Sequence, residues 1–194
     1  YLKQHSLPIV IKADGLAAGK GVMICNSLLE ALAEFELMIL YSKFGEAGKK
    51  VVVEEFLRGI EVSVFALTDG KNYVILPEAK DYKRVGEGDR GLNTGGMGAV
   101  SPLPFFDESL REKIKEKIVE PTIKGLQTDN LDYKGFIFFG LMVNNGNAYV
   151  IEYNCRLGDP ETEVIVPRID NDLVDLFVAT ADRQLENVSI QTDP

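Results

Sequence analysis

The sequence predicts an α+β protein with antiparallel sheets. Its apolar, β-branched runs come in pairs that are joined by short turn signals, as at Asp69-Gly70 and over residues 144–147. Runs joined in this way pair as antiparallel hairpins. Segments with helical spacing lie between these pairs, and the chain of 194 residues is long enough to bury a core. Together these observations favour the α+β class.

The first part of the chain predicts a hairpin followed by a helix. Residues 8–13 and 22–25 are short β-branched runs on either side of a segment that holds three glycines over residues 14–21. Ser27 and Glu30 have capping-box spacing, and the apolar positions that follow predict a helix over residues 28–41. Three further strands are predicted over residues 51–54, 61–68 and 73–76.

The second part predicts a long loop, a broken helix and another hairpin. Residues 77–104 hold six glycines and three prolines without a sustained period, so we expect a functional loop. Asp107 caps a helix that Pro121 should kink or split. Strands are predicted over residues 135–143 and 148–153, and helices over residues 161–169 and 172–181.

Charge and composition narrow the function classes. The net charge of −9, from 30 acidic and 21 basic residues, argues against a nucleic-acid partner. No apolar run approaches the roughly 20 residues of a membrane helix, so we expect no membrane partner. Two cysteines in 194 residues predict a reducing, cytoplasmic location. The chain begins at Tyr1 and ends at Pro194 without a closing element, so we expect a piece of a longer polypeptide.

The glycine-rich loop after the first strand is a candidate phosphate site. Gly15, Gly19 and Gly21 would let the backbone approach phosphate oxygens, and successive N–H groups can form an anion nest. Lys12 and Lys20 add positive charge. The spacing matches neither a P-loop nor a dinucleotide-binding fingerprint. The alternative is a flexible hairpin with two solvated lysines.

Acidic residues at a strand end form a second candidate site. Glu54 and Glu55 end one predicted strand, and Glu61 begins the next. An adenine fits an apolar slot and a ribose fits a carboxylate acceptor. Phe56 and Leu57 could supply the slot, with Glu61 on the ribose. The alternative is a solvated turn.

The predicted long loop carries charges of both signs. Asp81, Lys83, Arg84 and Asn93 would suit a zwitterionic or phosphorylated substrate. The alternative is a mobile, solvated loop.

A carboxylate and an amide follow an apolar run near the end of the last predicted strand. Residues two apart on a strand share a face, so Glu152, Asn154 and Arg156 would project together if the strand extends that far. Carboxylate and amide oxygens suit Mg²⁺, and the arginine suits a phosphoryl group. The alternative is a surface ion pair. Cys155 would point the other way, as a buried, inert thiol.

Four segments together resemble the ATP-grasp portion of the phosphoribosylamine–glycine ligase family. They are PIVIKADGLAAGKGV over residues 8–22, EEFL over 54–57, NTGGMG over 93–98 and NCRLGDPETE over 154–163. The resemblance implies an ATP-grasp fold of two α+β subdomains with antiparallel sheets that grip ATP between them. Residues 1–57 would form the lid subdomain with the phosphate loop. Residues 58–194 would form the core subdomain with the metal and substrate loops.

The resemblance also implies an activity and its partners. Members of the family are ligases that join glycine to 5-phosphoribosylamine through a glycyl phosphate, giving glycinamide ribonucleotide, ADP and phosphate in purine biosynthesis. ATP and Mg²⁺, or Mn²⁺, would be required, and N- and C-terminal domains of the same polypeptide would complete the enzyme. The alternatives are another ATP-grasp carboxylate–amine ligase, or a fragment that only binds nucleotide.

Site residues carry over by position in the four segments. The nucleotide would contact Lys12, Gly15, Ala18, Gly19, Lys20, Gly21, Glu54, Glu55, Phe56, Leu57 and Glu61. The metal would be held by Glu152 and Asn154, and catalysis and substrate binding would use Arg156, Asp81, Lys83, Arg84 and Asn93. Two departures stand out: Tyr82 occupies a position where relatives commonly have His, and Phe139-Gly140 occupies a stretch where many ATP-grasp enzymes carry a further metal carboxylate.

Overall fold

The structure, a computed structural model, describes residues 1–17, 20–88 and 90–193, with the backbone alone for Leu92 and Asn93. It divides into two compact units, Tyr1–Leu57 and Arg58–Pro194, which we call unit 1 and unit 2. Two of the residues predicted to contact phosphate, Ala18 and Gly19, lie outside the described residues.

Unit 1 is a three-stranded antiparallel sheet covered on one face by a helix. Its strands are β1 (Ile9–Ala13), β2 (Val22–Cys25) and β3 (Val51–Glu55), in the order β2-β1-β3. The helix α1 (Leu28–Ile39) is capped by the Ser27 hydroxyl, which accepts the N–H of Glu30 at 3.2 Å. The predicted capping box is therefore confirmed, although the helix ends two residues before the predicted boundary at residue 41.

Unit 2 is built on a four-stranded antiparallel sheet in the order β5-β4-β8-β9. Its strands are β4 (Ile60–Thr68), β5 (Tyr73–Ile75), β8 (Gly135–Asn144) and β9 (Asn147–Asn154). The turn predicted at Asp69-Gly70 is confirmed, because the Asp69 carboxylate accepts the N–H groups of Lys71 and Asn72 at 2.9 and 2.7 Å. The hairpin predicted between β8 and β9 is confirmed as well.

The helices of unit 2 lie on both faces of this sheet. One long helical segment consists of α2 (Glu108–Ile114), a π-helical turn (Lys115–Val119) and α3 (Glu120–Thr128), with Pro121 in the first turn of α3. The predicted break at this proline is confirmed, because the wider π-helical turn just before it separates α2 from α3. On the other face, α4 (Glu161–Ile165) runs into a 3₁₀ turn (Val166–Arg168), and α5 (Leu173–Ala181) follows.

Alternation along β4 sends side chains to two separate cores. Val62 and Val64 face the core built with α2 and α3. Phe65 and Leu67 face the core built with α4 and α5, together with Phe138 of β8. Successive residues of a strand point to opposite faces, so a buried sheet reads as a nearly continuous apolar run.

The expectation of a loop over residues 77–104 is wrong. The structure has a two-stranded antiparallel hairpin there, formed by β6 (Lys80–Gly86) and β7 (Arg90–Val100). Its register shifts twice, and Gly96 and Gly98 adopt positive φ angles of 132° and 156°. Backbone pairing holds such a hairpin together, and irregular glycine-rich strands lack the period-2 pattern that reveals a strand in the sequence.

Within the part of the chain that the structure describes, no helix is both long enough and apolar enough to cross a membrane.

Candidate functional site

Polar residues from four elements meet at one end of the sheet face that α4 and α5 cover in unit 2. We call this group the polar end. It consists of Glu61, Ser63, Asp81, Lys83, Glu152, Asn154 and Glu161. The residues come from β4, β6, β9 and the start of α4, so the sheet and its β6–β7 hairpin place together side chains that are up to 100 positions apart. The same sheet face is apolar further along, at Phe65 and Leu67.

A β-bulge in β9 directs Glu152 to the polar end. Gly140 pairs with Glu152, whereas the next residue, Leu141, pairs with Val150, so Ile151 is the extra residue of a bulge. A bulge reverses the alternation of side chains beyond it. Val150 therefore packs against the α2–α3 core, and Glu152 points to the opposite face although it is only two residues away.

Gly140 leaves the space that the Glu152 side chain occupies. A Cβ atom at position 140 would lie 2.9 Å from Glu152 Cγ and 3.2 Å from Phe138 Cε1. The glycine stands in the stretch where the resemblance leads one to look for a further carboxylate. Its local effect is to leave room for the Glu152 side chain of the neighbouring strand.

Lys83 is the cation at the centre of the polar end. Its Nζ lies 2.7 Å from Glu61 Oε1 and 3.9 Å from Asp81 Oδ2. Burial alone would lower the pKa of Lys83, but the negative charges of Glu61, Asp81 and Glu152 outweigh it, so the net pKa is raised. Lys83 is therefore a fixed positive charge at neutral pH.

Asp81 and Glu161 are buried carboxylates of the polar end. Glu161 is 2% exposed, and its Oε1 accepts the hydroxyl proton of Ser63 at 2.8 Å. Asp81 is 9% exposed. Burial, followed by the charge of Glu161, raises the pKa of Asp81 to about 6, against the opposing effect of Lys83. The charge of Glu161 thus disfavours ionisation of Asp81.

Two sequence motifs from the resemblance touch in unit 2. A Cβ atom on Gly96 would collide with Pro160 Cδ, so only glycine lets β7 approach the turn before α4 this closely. Thr94 supports the same strand by donating its hydroxyl to the Lys83 carbonyl at 2.8 Å. The 93–98 and 154–163 segments therefore pack against each other, and this packing positions Glu161.

The structure does not bring every predicted residue of unit 2 into the polar end. The strand ends at Asn154, so Arg156 does not continue the Glu152–Asn154 face; it is exposed and donates to the Leu157 carbonyl at 2.8 Å. Arg84 is exposed and donates to the Gly91 carbonyl, and the Asn93 side chain lies outside the described residues. Cys155 is exposed, so the expectation of a buried thiol is wrong, because the chain has already left the sheet at that position.

The open face of the unit 1 sheet carries the predicted lysine. Lys12 of β1 pairs with Glu54 of β3 at 2.6 Å between Nζ and Oε2. The strand register places Val22, Ile24 and Val52 on the same face, and all three are exposed. This face therefore combines apolar surface with one ion pair, whereas α1 covers the other face.

The glycine loop of unit 1 is partly held by the protein itself. The N–H of Gly15 donates to the Ala47 carbonyl at 3.1 Å, and the N–H of Lys20 donates to the Ala17 carbonyl at 2.9 Å. These two N–H groups do not form an anion nest in this conformation. A Cβ on Gly15 or Gly21 would lie under 3.0 Å from Ala47 or Ala17, so both glycines permit close packing. The Lys20 side chain is exposed.

The end of β3 provides the remaining predicted residues. Glu55 is exposed, while Phe56 and Leu57 are half-buried. Half-buried apolar side chains at a strand end can line a slot, and their backbone groups can bond a base.

Glu152 and Asn154 fit a divalent cation by their chemistry. They offer hard oxygen ligands from adjacent same-face positions of β9. Among the described residues, no three His, Cys, Asp or Glu side chains are placed to hold a metal ion. Such a sparse set suits Mg²⁺, which keeps several waters and takes other ligands from phosphates.

Three residues of the site were not identified from the sequence: Ser63, Gly140 and Glu161. Glu161 lies within the 154–163 segment that carries the resemblance, but nothing in the sequence singled it out from the other residues of that segment. Ser63 and Gly140 carry no signal of their own, because their importance comes from neighbours on other strands.

Comparison with known proteins identifies the family. The model of the "Phosphoribosylglycinamide synthetase, ATP-grasp (A) domain" matches residues 1–162. The phosphoribosylamine–glycine ligase of Clostridium acetobutylicum is 46% identical over 191 residues, which cover 98% of this chain and 46% of that protein. The phosphoribosylamine–glycine ligase of Pasteurella multocida is 48% identical over 192 residues, which cover 98% of this chain and 45% of that protein. The chain thus spans about half the length of the curated relatives it matches.

Two solved structures are similar to this chain. The crystal structure of phosphoribosylamine–glycine ligase from Thermotoga maritima has a TM-score of 0.82 and 43% identity, covering 94% of this chain and 46% of that one. A second similar structure is the biotin carboxylase domain of Hydrogenobacter thermophilus 2-oxoglutarate carboxylase in complex with MgADP. Its TM-score is 0.70 at 18% identity, and the match covers 98% of this chain and 40% of that one. The second likeness concerns the fold alone, and the two together show the ATP-grasp fold that the sequence predicted.

Proposed function

The chain belongs to the phosphoribosylglycinamide synthetase family, and we propose that the protein carrying it joins glycine to 5-phosphoribosylamine at the expense of ATP. The products are glycinamide ribonucleotide, ADP and phosphate, and the reaction belongs to purine biosynthesis. The identity of 46% across nearly the whole chain supports this proposal. The observation that carries it is the polar end, where one lysine and three carboxylates lie beside the candidate metal ligands Glu152 and Asn154.

The proposed reaction has two steps. A glycine carboxylate oxygen attacks the γ-phosphorus of ATP, the bond to the bridging oxygen breaks, and glycyl phosphate and ADP form. The phosphoribosylamine nitrogen then attacks the carbonyl carbon, the C–N bond forms, and phosphate leaves with the carbon–oxygen electron pair. The amine loses one proton to the medium. The protein contributes mainly positioning and charge neutralisation, as in other phosphoryl transfers.

The nucleotide assignments fall in both units. Lys12 and Lys20 neutralise phosphate charge, while Gly15, Ala18, Gly19 and Gly21 belong to the loop that closes over the triphosphate. Glu54, Glu55, Phe56 and Leu57 hold the adenine. A carboxylate can accept several donors at once, so Glu61 can hold both Lys83 and a ribose hydroxyl.

Glu152 and Asn154 are the proposed metal ligands. A bound Mg²⁺ or Mn²⁺ would neutralise phosphate oxygens and favour the departure of ADP. The bulge at Ile151 and the space over Gly140 hold the Glu152 carboxylate in place for this role. Arg156, which is exposed just beyond the strand, is assigned to the transferred phosphoryl group.

The substrate assignments are Asp81, Lys83, Arg84 and Asn93. Lys83 stays charged at neutral pH because of its acidic neighbours, so it can neutralise a carboxylate or an acyl phosphate. These residues belong to the β6–β7 hairpin, which gives them a defined backbone that a loop would lack.

The first test uses the full-length protein and hydroxylamine, which traps an acyl phosphate as a hydroxamate. We expect ATP- and glycine-dependent hydroxamate without phosphoribosylamine, and we expect Glu152→Gln to abolish the Mg²⁺-dependent formation of this hydroxamate. Glu112→Gln, which removes an exposed carboxylate from α2, is the control. If another acid and amine give far higher turnover than glycine and phosphoribosylamine, the substrate assignment is wrong and another carboxylate–amine ligase is supported.

The second test concerns the nucleotide. Calorimetric titration with Mg-ATP should give saturable binding that weakens about tenfold or more in Lys12→Ala, since a charge-assisted contact contributes about 1.5–3 kcal/mol. Lys49→Ala removes a more exposed lysine from the same unit and should leave the affinity unchanged. Equal affinity in both variants would contradict the role of Lys12.

Further domains and a cytoplasmic location are also part of the proposal. The relatives are about twice as long as this chain, so we propose that N- and C-terminal domains complete the phosphoribosylamine site. Fractionation of cells with an antibody to the chain tests the location.

A further inference from the structure

The two ends of the β6–β7 hairpin are joined to each other at Glu78 and Ser101, just outside the strands. Ser101 Oγ donates to the Glu78 carbonyl at 2.5 Å, so one hydrogen bond closes the base of the hairpin. The Glu78 carboxylate accepts the N–H of Leu103 at 3.3 Å. Glu78 is only 3% exposed, so these hydrogen bonds lie in a low-dielectric surrounding that strengthens them. We call Glu78 and Ser101 the hairpin junction.

Two arginines hold the hairpin junction, one from each helical layer of unit 2. Arg111 of α2 donates to Glu78 Oε2 at 2.9 Å. Arg168, in the 3₁₀ turn after α4, donates to Ser101 Oγ at 2.6 Å. A hydroxyl can accept one hydrogen bond while it donates another, so Ser101 links Arg168 to the Glu78 carbonyl. The junction is thus tied to the helices on both faces of the sheet.

Arg168 is itself held by the last residues that the structure describes. Its Nε donates to the Asp193 carbonyl at 3.2 Å, and its own carbonyl accepts the Asp193 N–H at 3.0 Å. Ile169 and Thr192 form a β-bridge beside this pair. Because the guanidinium group is planar, one bond at Nε and another at Nη1 fix its orientation. The segment that contains Asp193 therefore directs Arg168 towards Ser101.

The hairpin junction leads directly to the charged side chains of β6. Ala79, next to Glu78, forms a β-bridge with Ser63 of β4, with backbone hydrogen bonds of 2.8 and 2.9 Å. From this attachment β6 carries Lys83 back to Glu61 of the same strand, and the two side chains lie 2.7 Å apart. A tilt of the hairpin about the attachment would move Lys83 away from Glu61. The position of Lys83 therefore depends on how firmly the junction is held.

We propose that Arg168 is a positioning residue for the reaction. Acting through Ser101 and Glu78, it fixes the angle of the β6–β7 hairpin and thereby the position of Lys83. This inference rests on the proposed function, in which Lys83 neutralises a carboxylate or an acyl phosphate. A displacement of about 1 Å can cost about a hundredfold in rate even when the substituted residue is far from the reacting atoms. An anchor at the base of the hairpin can thus control a site at the other end of β6.

The test uses the full-length protein and compares glycine-dependent hydroxamate formation with Mg-ATP binding. Arg168→Met keeps a long side chain but removes its N–H donors. We expect kcat/KM for glycine to fall about tenfold to a hundredfold, because the hairpin is displaced. The Kd for Mg-ATP should change less than about threefold, since most of the assigned nucleotide contacts lie in unit 1. Arg168→Lys, which keeps a charged donor, should restore part of kcat/KM.

A double-mutant cycle tests whether Arg168 acts through the hairpin junction. Ser101→Ala removes the hydroxyl that joins Arg168 to the Glu78 carbonyl. If both residues act through one link, adding Arg168→Met to Ser101→Ala should lower kcat/KM by less than about twofold more. Hydrogen exchange of the β6 and β7 amides should be faster in each single variant, whereas exchange in β8 should not change.

Arg183→Met is the matched control, because Arg183 pairs with exposed Asp132 at 2.7 Å rather than with a residue of the hairpin. It should leave kcat/KM, the Kd for Mg-ATP and hairpin exchange unchanged. An unchanged kcat/KM in Arg168→Met would overturn the positioning role. Equal losses of kcat/KM for glycine and of Mg-ATP affinity, or additive losses in the cycle, would overturn it as well.

Failure of the proposed function gives a different result. A wild-type protein that forms no glycine-dependent hydroxamate would refute the proposed function. Hydrogen exchange would then decide the anchor by itself, because it needs no substrate. Unchanged exchange of the hairpin amides in Arg168→Met would show that Arg168 does not hold the hairpin.

Discussion

Replacement of Gly140 by alanine tests whether the space over this glycine positions the candidate metal ligand. The added Cβ would lie 2.9 Å from Glu152 Cγ and 3.2 Å from Phe138 Cε1, whereas ordinary contacts begin at 3.4 Å. Glu152 must therefore move by about 0.5 Å, the difference between 2.9 and 3.4 Å. Phe138 is buried in the α4–α5 core and has little freedom to move.

The expected magnitudes follow from this crowding. Overpacking costs about 1–3 kcal/mol, and the gain in strand propensity from glycine to alanine returns about 0.5–1 kcal/mol. The free energy of unfolding should fall by about 1–2 kcal/mol. Mg²⁺ demands nearly ideal geometry, so a displaced Glu152 should raise the Mg²⁺ concentration needed for half-maximal hydroxamate formation about tenfold.

Two measurements check Gly140→Ala: urea denaturation followed by circular dichroism, and a Mg²⁺ titration of hydroxamate formation. Gly125→Ala in α3 is the matched control, because a Cβ there meets nothing within 4 Å. It should stabilise the protein by about 0.5–1 kcal/mol through helix propensity and leave the Mg²⁺ dependence unchanged. An unchanged Mg²⁺ dependence in Gly140→Ala would refute the argument that this space positions Glu152.

Three further predictions concern stability, each measured by urea denaturation. Phe139→Ala should lower the free energy of unfolding by about 3–5 kcal/mol, because Phe139 is fully buried; a loss below 1 kcal/mol would contradict this. Arg111→Ala should lower the free energy of unfolding by about 1–3 kcal/mol, because the buried carboxylate of Glu78 loses the ion-pair partner that lies 2.9 Å away. Arg111→Lys should restore part of this stability. The pKa of Asp81 in the folded protein lies above its usual value, so folding favours the protonated carboxyl. The free energy of unfolding of the wild type, relative to that of Asp81→Asn, should therefore fall as the pH rises from 4 through about 6. A difference that does not depend on pH would contradict this prediction.

The sequence predicted the strands of both main sheets because their side chains alternate or are continuously apolar. Residues 61–68 lie within β4, and residues 148–153 lie within β9. The β6–β7 hairpin was missed because glycines and shifted register remove that pattern. Arg156 was expected to share a face with Glu152 and Asn154 only if the strand extended to it, and the strand ends at Asn154 because pairing with β8 ends there.

The candidate site was predictable where one segment carries its chemistry, and unpredictable where it depends on contacts between segments. Glu152 and Asn154 stand out as a carboxylate and an amide after an apolar run. Nothing local shows that Ile151 bulges, yet without the bulge Glu152 would point into the α2–α3 core, beside Val150. The bulge is what converts an apolar strand into one that presents a carboxylate on the other face.

The same reasoning explains why a glycine, rather than a third carboxylate, stands beside Glu152. A larger residue at position 140 would collide with Glu152 Cγ, and a further acid there would add negative charge to a sheet face that already holds Glu61 and Glu152. Lys83 is shared among these charges. A glycine on the central strand lets two flanking strands bring charged groups over one patch of sheet. The arrangement of the polar end is therefore decided as much by the missing side chain as by the acids around it.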